Sequence, residues 1–314
     1  KNSKIYIAGH TGMVGSAILR NLKSKGYSNF AFTPYPEYDL TNQKTVQYFF
    51  EKEKPEYVID AAAKVGGILA NDTYRAQFIY ENLMIQNNLI HYAFISGVKK
   101  LLFLGSSCIY PRDCSQPIKE GFLMTGPLER TNEPYAIAKI AGIKMCENYY
   151  RQYGSNFISV MPSNLYGPRD NFDLNNSHVI PALIRKFHEA KIFDATTVEV
   201  WGTGKPRREF LYIDDMADGC VFLMEHVEAE ELYRNGLSHI NIGSGVDVTI
   251  GELAKSIAKV VGFHGEIVFD ISKPDGTPRK LLDVKILNKI GWKNTVKLVE
   301  GLTISYHWYL TNNS

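Results

Sequence analysis

One segment constrains the fold of this chain more than any other: residues 5–18, with the sequence IYIAGHTGMVGSAI. A short apolar run at Ile5–Ala8 predicts a buried strand, and an amphipathic segment at Met13–Lys25 predicts a helix. Glycines between a strand and a helix permit a tight turn and a close approach of the backbone to a pyrophosphate. In this context the spacing G-x-x-G-x-x-G predicts a dinucleotide site, rather than a glycine-rich turn without a ligand, at Gly9, His10, Thr11, Gly12, Met13, Val14 and Gly15.

The first half of the chain continues this alternation of strand and helix. Apolar runs predict parallel strands at Ile5–Ala8, Phe30–Phe32, Tyr57–Ala62, Leu101–Gly105 and Phe157–Met161. Amphipathic segments predict helices at Met13–Lys25, Gln43–Glu53, Ala76–Ser96 and Tyr135–Tyr153. The pattern predicts an α/β fold of the Rossmann type, with a doubly wound parallel sheet that binds ligands beyond the carboxyl ends of its strands.

The rhythm changes after about residue 165, which predicts a second, smaller domain of mixed α/β structure. Helices are expected near Val179–Ala190, at Ile250–Val261 and near Val296–Leu310, and strands in TVEVWG and HINIGSG. The segment KPRREFLYIDDMADGCVFLMEH predicts a strand that runs into a helix. We expect residues 1–165 and 210–243 to form the dinucleotide-binding domain. Residues 166–209 and 244–314 would then form the substrate domain.

Composition argues against several classes of partner. The net charge of +2 gives no electrostatic reason to expect a nucleic-acid or membrane partner, and no apolar run is long enough to span a bilayer. The first strand begins within a few residues of the amino terminus, so no signal peptide is expected. Cys108, Cys114, Cys146 and Cys220 form no C-x-x-C pair, which predicts free thiols, no metal site and a reducing cytoplasmic location.

Polar groups with catalytic potential gather in two places. Ser106 lies just past the fourth predicted strand, and Tyr135 and Lys139 lie four residues apart on one helix face. A neighbouring ammonium is expected to lower the pKa of a tyrosine, which could then exchange a proton with a substrate carbonyl. Alone, a Y-x-x-x-K spacing also fits a solvated helix face. Asp39, followed by Leu40, is a candidate for adenine or ribose contact, or else a cap for the next helix.

Together these motifs resemble the extended short-chain dehydrogenase/reductase superfamily, which uses a Ser–Tyr–Lys set with a nicotinamide cofactor. The chain is most similar to the GDP-L-fucose synthases within it, through AAAKVGGI, GSSCIYP, NEPYAIAKIAG, SNLYGPRDNF, SHVIPALIRKFHEA, VWGTGKPRREFL and SKPDGTPRKLLDV. These segments cover nearly the whole chain in the family's order. The resemblance implies 3,5-epimerisation of GDP-4-keto-6-deoxymannose, followed by reduction of its C4 ketone with NAD(P)H.

The resemblance also implies roles for individual residues. Cys108 would be the base and His178 the acid of epimerisation, while Ser106, Tyr135 and Lys139 hold the carbonyl. Further cofactor contacts would come from Asp39, Leu40, Ala62, Ala63, Leu104, Gly105, Tyr135, Lys139, Pro162, Asn164, Leu165 and His178. The GDP-sugar would contact Ser107, Asn164, Lys186, Trp201, Arg208 and Asp275. A homodimer is implied, through the helices at Ala76–Ser96 and Tyr135–Tyr153.

Alternatives from the residues themselves stay open. His178 follows Asn176 and Ser177 and could merely neighbour a helix cap, Cys108 could be a buried packing residue, and Trp201 could be a core tryptophan. The charges of KPRREF could simply be solvated. A dinucleotide-binding sensor without catalysis is a further alternative, and the intact Ser–Tyr–Lys set argues against it.

The chain also departs from the family pattern. The glycine loop and the segment after the second strand lack the arginines that commonly clamp a 2′-phosphate, so NADPH is expected but NADH is possible. Lys186 stands where an arginine is frequent. These departures leave room for a C4 reductase without epimerase activity that acts on a related GDP-4-keto-6-deoxy sugar, for example a heptose.

Overall fold

The structure is a computed structural model, and it describes residues 1–174, 177–273 and 275–312. Its strands are β1 Ile5–Ala8, β2 Phe30–Ala31, β3 Tyr57–Asp60, β4 Lys100–Leu104, β5 Phe157–Pro162, β6 Asn164–Tyr166, β7 Thr197–Trp201, β8 Arg207–Tyr212, β9 Ile240–Ile242, β10 Asp247–Thr249, β11 Glu266–Asp270 and β12 Arg279–Lys280. Its helices are α1 Met13–Ser24, α2 Gln43–Glu53, α3 Ile68–Thr73, α4 Arg75–Ile95, α5 Glu133–Tyr153, α6 Val179–Ile192, α7 Ile213–His226, α8 Ala229–Arg234, α9 Ile250–Val261, α10 Lys285–Ile290 and α11 Leu298–Asn312.

A six-stranded parallel sheet forms the larger part of the molecule, in the order β2-β1-β3-β4-β5-β9. All five strands predicted in the first half belong to it, so the α/β doubly wound prediction is confirmed. Both faces of the sheet are covered. Along β1, Ile5 and Ile7 face one apolar cluster with α1 and α7, while Tyr6 and Ala8 face another with α2, α4 and α5. Burial on both faces explains why these strands are continuous apolar runs.

Smaller sheets lie in the second half of the chain. Strand β8 pairs antiparallel with β10 and parallel with β12 and β6, and β7 pairs with β11 in a separate two-stranded sheet. The boundary expected at residue 210 falls inside β8, because the pairing of Asn164 with Phe210 continues the strand through that point. Strand β9 returns to the large sheet. The division into two domains at those residues stays a prediction.

Helix α5 carries residues of the predicted site, and its ends follow from the sequence. Pro134 occupies the first turn, where its fixed φ suits a helix start, and Gly154 ends the helix with a φ of 71°. Gly142 faces the sheet, and a Cβ there would lie 2.3 Å from the ring of Phe103. This close approach fixes the helix against β4. Within the described residues, no helix is both long and apolar enough to cross a membrane.

Candidate active site

The glycine loop connects β1 to α1 as the sequence predicts. Gly9 has a φ of +75°, and a Cβ on Gly15 would lie 2.2 Å from the Gly9 carbonyl oxygen, so neither position admits a larger residue without a shift. Gly12 precedes α1 and offers no side chain to cap it, and the first turn carries no acidic residue. The backbone N–H groups there are therefore suited to an anionic group, as the pyrophosphate of a dinucleotide requires.

The remaining predicted cofactor residues lie at one edge of the large sheet, where the parallel strands end. Leu104 ends β4 and is followed by Gly105, and Pro162 ends β5 just before Asn164 and Leu165. The same edge receives Ala62 and Ala63, which follow β3. This is the crevice in which doubly wound sheets bind their ligands.

Asp39 does not cap helix α2. Its Oδ1 accepts hydrogen bonds from the backbone N (2.9 Å) and hydroxyl (2.8 Å) of Thr41, in a turn before the helix. Asn42 is the cap, since its side-chain oxygen accepts from Lys44 N and Thr45 N. The capping alternative for Asp39 is therefore wrong. Leu40 lies beside it, with its carbonyl bound by Asn88.

A basic side chain approaches the glycine loop from a distant segment. Arg169, in the loop after β6, donates from Nη1 to the Thr11 carbonyl at 3.4 Å and has no ion-pair partner in the described part of the chain. His10 stacks on Phe32 at 4.5 Å, and burial lowers its pKa, so it is neutral near pH 7. Arg169 is thus the guanidinium near this loop that the sequence reasoning missed, and no local spacing signals it.

Ser106 and Cys108 occupy a short 3₁₀ turn directly after β4. The Ser106 hydroxyl accepts a hydrogen bond from Cys108 N at 3.4 Å. Cys108 is 7% exposed but belongs to neither apolar cluster, whereas Cys146 and Cys220 are packed inside them. Burial raises the pKa of the Cys108 thiol, and Lys280 and Ser106 oppose that rise. Cys108 is therefore buried but lies outside the two apolar clusters.

Tyr135 and Lys139 share one face of α5, as predicted. The Lys139 ammonium donates to the Leu104 carbonyl at 2.9 Å and lies 5.8 Å from the centre of the Tyr135 ring. The expected lowering of the tyrosine pKa is wrong for this geometry. Burial raises the pKa of Tyr135 well above its ordinary value, and the negative charges of Cys108 and Asp60 raise it further. Tyr135 is therefore a neutral phenol that can donate a proton.

A cleft of about 50 Å³ opens beside the Cys108 turn. Its lining includes Ser107, Cys108, Arg279 and Lys280. Lys280 is a second residue that the sequence reasoning missed, although its segment, SKPDGTPRKLLDV, carried the family resemblance. Pro274 of that segment lies outside the described residues. Pairing of β12 with β8 places Lys280 opposite Arg208, so two cations line one side of the site.

His178 is the residue that precedes α6, and its side chain makes no capping hydrogen bond. Desolvation by the surrounding protein lowers the pKa of the His178 imidazole, and the charge of Lys280 lowers it further. Lys280 therefore acts on both His178 and Cys108. Asn176, on which the capping alternative rested, lies outside the described residues.

The predicted sugar-nucleotide residues form a group around Trp201, which is 60% exposed and so is not a core tryptophan. Lys186 and Lys273 place their ammonium groups 5.3 and 5.4 Å from its ring centre. Asp275 accepts hydrogen bonds from the backbone N and hydroxyl of Thr203, at 2.6 and 2.7 Å. An aromatic face beside cations and a carboxylate suits a purine base and its phosphates.

The two arginines of KPRREF differ. Arg207 pairs with Asp247 at 3.0 Å, whereas Arg208 donates only to a backbone carbonyl among the contacts of the described residues. Burial lowers the pKa of Arg208, and Asp275 opposes this. Asn164 holds the Glu209 carbonyl at 2.8 Å. Arg208 is therefore the arginine available to a ligand. No cluster of three or more His, Cys, Asp or Glu side chains suited to a metal occurs in residues 1–174, 177–273 and 275–312.

Comparison with known proteins gives consistent results. The family model described as "NAD dependent epimerase/dehydratase family" matches residues 5–243. The GDP-L-fucose synthase of Escherichia coli (strain K12) is 57% identical over 311 residues, covering 98% of this chain and 97% of that protein. A GDP-6-OMe-4-keto-L-xylo-heptose reductase from C. jejuni superposes with a TM-score of 0.93 at 44% identity, covering 99% of both chains.

A GDP-L-fucose synthetase from Naegleria fowleri, solved bound to NADP, has a TM-score of 0.89 at 28% identity. It covers 99% of this chain and 95% of that one. The likeness in all three proteins extends over nearly the whole length. It therefore includes the β12 segment with Lys280 as well as the glycine loop.

Proposed function

The chain belongs to the NAD dependent epimerase/dehydratase family, and on that premise we propose that it is a GDP-L-fucose synthase-like enzyme. It epimerises GDP-4-keto-6-deoxymannose at C3 and C5 and then reduces the C4 ketone with NADPH, as an oxidoreductase that also has isomerase activity. One observation carries the proposal: the carboxyl edge of the sheet holds both a Ser–Tyr–Lys set and a thiol that lies outside the apolar clusters. Reduction needs the first, and epimerisation needs the second.

The epimerisation is a pair of proton exchanges next to a ketone. The hydrogens on C3 and C5 are acidic because the resulting carbanion delocalises onto the C4 oxygen as an enolate. At each centre the Cys108 thiolate removes a proton, and His178 in its protonated form delivers one to the opposite face of the ring. Before the second exchange, the proton held by Cys108 passes through water to His178, so that both groups are reset. Lys280 faces the thiol and favours its ionised form. Ser106 and Tyr135 donate hydrogen bonds to the enolate oxygen.

The reduction uses the other side of the site. When bound, NADPH supplies the hydride that goes to C4. Tyr135 donates its phenolic proton to the C4 oxygen as the ketone becomes an alcohol, and Lys139 stabilises the tyrosinate that is left. The raised pKa of Tyr135 keeps its proton in place until that step. Arg169 contributes a positive charge beside the glycine loop, where the cofactor phosphates would lie.

The substrate is held through its nucleotide. Arg208 and Lys280 present adjacent positive charges to the diphosphate, and Lys186 lies beyond them against Trp201. Trp201 offers its exposed ring to the guanine, and Asp275 accepts from polar groups of the nucleotide. Ser107, which lines the cleft, and Asn164 contact the sugar. The substitution of Lys186 for an arginine removes one paired hydrogen bond but keeps the charge.

A second function is favoured by the likeness to the C. jejuni heptose reductase. In that case the chain would reduce the C4 ketone of a GDP-4-keto-6-deoxy sugar already epimerised by another enzyme. The presence of Cys108 beside Lys280 favours the first function, because a reductase has no need of an activated thiol. Under either function we expect NADPH, a GDP-sugar and no nucleic-acid partner.

We also expect a cytoplasmic homodimer. A free Cys108 thiol needs a reducing compartment. Helices α4 and α5 expose large apolar side chains, namely Tyr80, Ile95, Ile137 and Tyr153. Exposed apolar side chains on these two helices suit contact with a second copy of the chain.

Deuterium exchange separates the two functions. The chain is incubated in D2O with GDP-4-keto-6-deoxymannose, with and without NADPH, and the sugar is examined by NMR. We expect deuterium at C3 and C5 without reduced cofactor, and GDP-L-fucose when NADPH is added. Reduction without deuterium uptake would identify a C4 reductase, and a panel of GDP-4-keto heptoses would then find its substrate. If the protein catalyses neither exchange nor reduction with any of these sugars, both functions are contradicted.

A further inference from the structure

A buried carboxylate lies beneath the catalytic lysine, and the mechanism above gives it no part. Asp60 is the last residue of β3 and has no exposed surface. Its Oδ1 accepts a hydrogen bond from Ala62 N at 3.2 Å, and its Oδ2 has no partner within the described residues. A buried carboxylate oxygen without a hydrogen bond is costly, so such a group usually has an electrostatic reason to be there.

The sheet register places Asp60 on the face that α5 covers. Val58, two residues earlier, belongs to the apolar cluster on that face, and side chains two apart in a strand point the same way. The direct partner of Asp60 in β4 is Phe103, a member of the same cluster. The Lys139 ammonium lies 4.8 Å from the centre of the Phe103 ring. Asp60 and Lys139 therefore flank the same aromatic ring.

Lys139 itself needs a nearby negative charge. It is 3% exposed, and its one side-chain hydrogen bond among the described residues goes to the neutral Leu104 carbonyl. Burial lowers the pKa of its ammonium, while Asp60 and, less strongly, Cys108 raise it. Burial raises the pKa of Asp60 to about 6, with Lys139 the cation that opposes this rise, so the carboxylate is mostly charged at pH 7. The two groups form no ion pair within 4.0 Å among the described contacts, so they interact through space.

We propose that Asp60 is a positioning residue for the reduction: its buried carboxylate keeps the Lys139 ammonium charged beneath Tyr135. A charged lysine is what stabilises the tyrosinate after Tyr135 has given up its proton. Asp60 itself touches neither substrate nor the reacting atoms, and acts through Lys139. The proposal rests on the proposed reductase function, but the charge state of Lys139 can be measured without any turnover.

The other titratable groups nearby do not replace Asp60. Two other titratable groups face Lys139: Cys108, from the turn after β4, and Tyr135, on the same helix as Lys139. The carboxylate also raises the pKa of Tyr6 on β1 and of Cys146 on α5. At neutral pH the two tyrosines are uncharged, because burial raises their pKa values, and burial also raises that of Cys146. Burial raises the pKa of the Cys108 thiol as well, so Asp60 is the nearby group that is mostly charged at pH 7 in the resting enzyme.

The decisive variant is Asp60→Asn, which keeps an oxygen for Ala62 N and removes the charge. Removing a nearby anion lowers the pKa of an ammonium, typically by about one unit or more. We expect the alkaline limb of the NADPH-dependent reduction rate to move down by that amount. The rate should therefore fall on the alkaline side of the profile, with a much smaller change at pH 6.5.

A second measurement on the same variant is independent of activity. The protein is labelled with ¹⁵Nζ-lysine, the Lys139 signal is assigned with Lys139→Met, and the ammonium is titrated by NMR. It should lose its proton at a lower pH in Asp60→Asn than in the wild type. If Asp60→Asn does not fold, Asp60→Ser serves instead, because a serine hydroxyl can also accept from Ala62 N.

Asp215→Asn is the matched control. Asp215 is also a buried carboxylate bound to backbone N–H groups, those of Thr295 and Val296. Its substitution should leave both the pH profile and the Lys139 titration unchanged. An unaltered Lys139 titration in folded Asp60→Asn would overturn the proposal. A wild-type protein that reduces no GDP-ketosugar would instead overturn the proposed function, and the titration would still decide the role of Asp60.

Discussion

The two sides of the site are built differently. On the reduction side, Tyr135 and Lys139 come from one helix that rests on the large sheet, and Lys139 is bound to a strand carbonyl. On the proton-exchange side, Cys108, His178 and Lys280 come from a turn, the start of α6 and the short strand β12. The first side depends on one regular element, and the second on three distant segments. Local spacing can therefore predict the first side but not the second.

The lysines of the two sides differ in their surroundings as well. Lys139 has a hydrogen-bonded carbonyl and a nearby carboxylate, Asp60. Lys280 makes no hydrogen bond or ion pair with any described side chain and lies beside a second cation, Arg208. The protein therefore satisfies the charge of Lys139 internally, whereas Lys280 is left to interact with a thiolate or a bound anion. Four substitutions test this contrast.

The largest effect is expected from Tyr135→Phe. The loss of the phenolic proton should lower the rate of C4 reduction by about 10³-fold, within the range for a general acid. Deuterium exchange at C3 and C5 should be far less affected. The rates are measured separately by NADPH absorbance and by NMR in D2O. Tyr149→Phe, on the same helix, is the control, and a variant retaining a tenth of the wild-type reduction rate would contradict the assignment.

Cys108→Ser is expected to have the opposite selectivity. A serine hydroxyl is a much weaker base than a thiolate, so exchange at C3 and C5 should fall about 10²-fold. Reduction of an already epimerised GDP-4-ketosugar should remain close to the wild-type rate. Cys114→Ser provides the comparison, because Cys114 is also a free thiol that is not among the buried members of either apolar cluster. Equal exchange in the two variants would remove Cys108 from the mechanism.

Lys280→Met tests the charge on the exchange side. Loss of the cation removes a favourable interaction with the thiolate, so the pKa of Cys108 should rise further above its ordinary value. Exchange at pH 7 should fall about tenfold and recover in part as the pH is raised. The rate of Cys108 alkylation by iodoacetamide against pH gives the same information without substrate. Lys285→Met, at an exposed lysine, should change neither quantity, and an unshifted alkylation profile in Lys280→Met would refute the role.

The smallest effect is expected at the cofactor phosphates. Arg169→Gln removes the guanidinium that contacts Thr11, so the Kd for NADPH should rise about three- to tenfold. Fluorescence titration with NADPH and with NADH shows which phosphate Arg169 contacts. A loss of affinity confined to NADPH indicates the 2′-phosphate, and an equal loss of affinity for both cofactors indicates the pyrophosphate. Arg151→Gln, on the far end of α5, is the control. Unchanged affinity for both cofactors would exclude Arg169 from the cofactor site.

Sequence predicted most of the scaffold, because buried parallel strands and amphipathic helices leave clear periodic patterns. The strand at Ile5–Ala8 and the helices at Gln43–Glu53 and Ile250–Val261 have the expected bounds. It also paired Tyr135 with Lys139, since four residues make one helical turn. The direction of the Tyr135 pKa shift was wrong because burial, together with the charges of Cys108 and Asp60, raises this pKa. Spacing along one helix carries no information on burial.

Other residues could not be found from local patterns. Lys280 reaches the site only through pairing of β12 with β8, and Arg169 only because its loop folds back over the glycine turn. Asp60 is an acidic residue in an apolar run, which signals that a charge is buried but does not name its partner. These three positions depend on tertiary structure. The catalytic assignments themselves stay predictions until the variants are measured.

The late position of Lys280 in the chain has a consequence for synthesis. The glycine loop, the Cys108 turn and helix α5 leave the ribosome well before β12 does. A nascent chain can therefore form the glycine loop and the Cys108 turn while the thiol still lacks its neighbouring cation, Lys280. Under the proposed mechanism, proton exchange then begins only after the carboxyl-terminal segment has paired with β8.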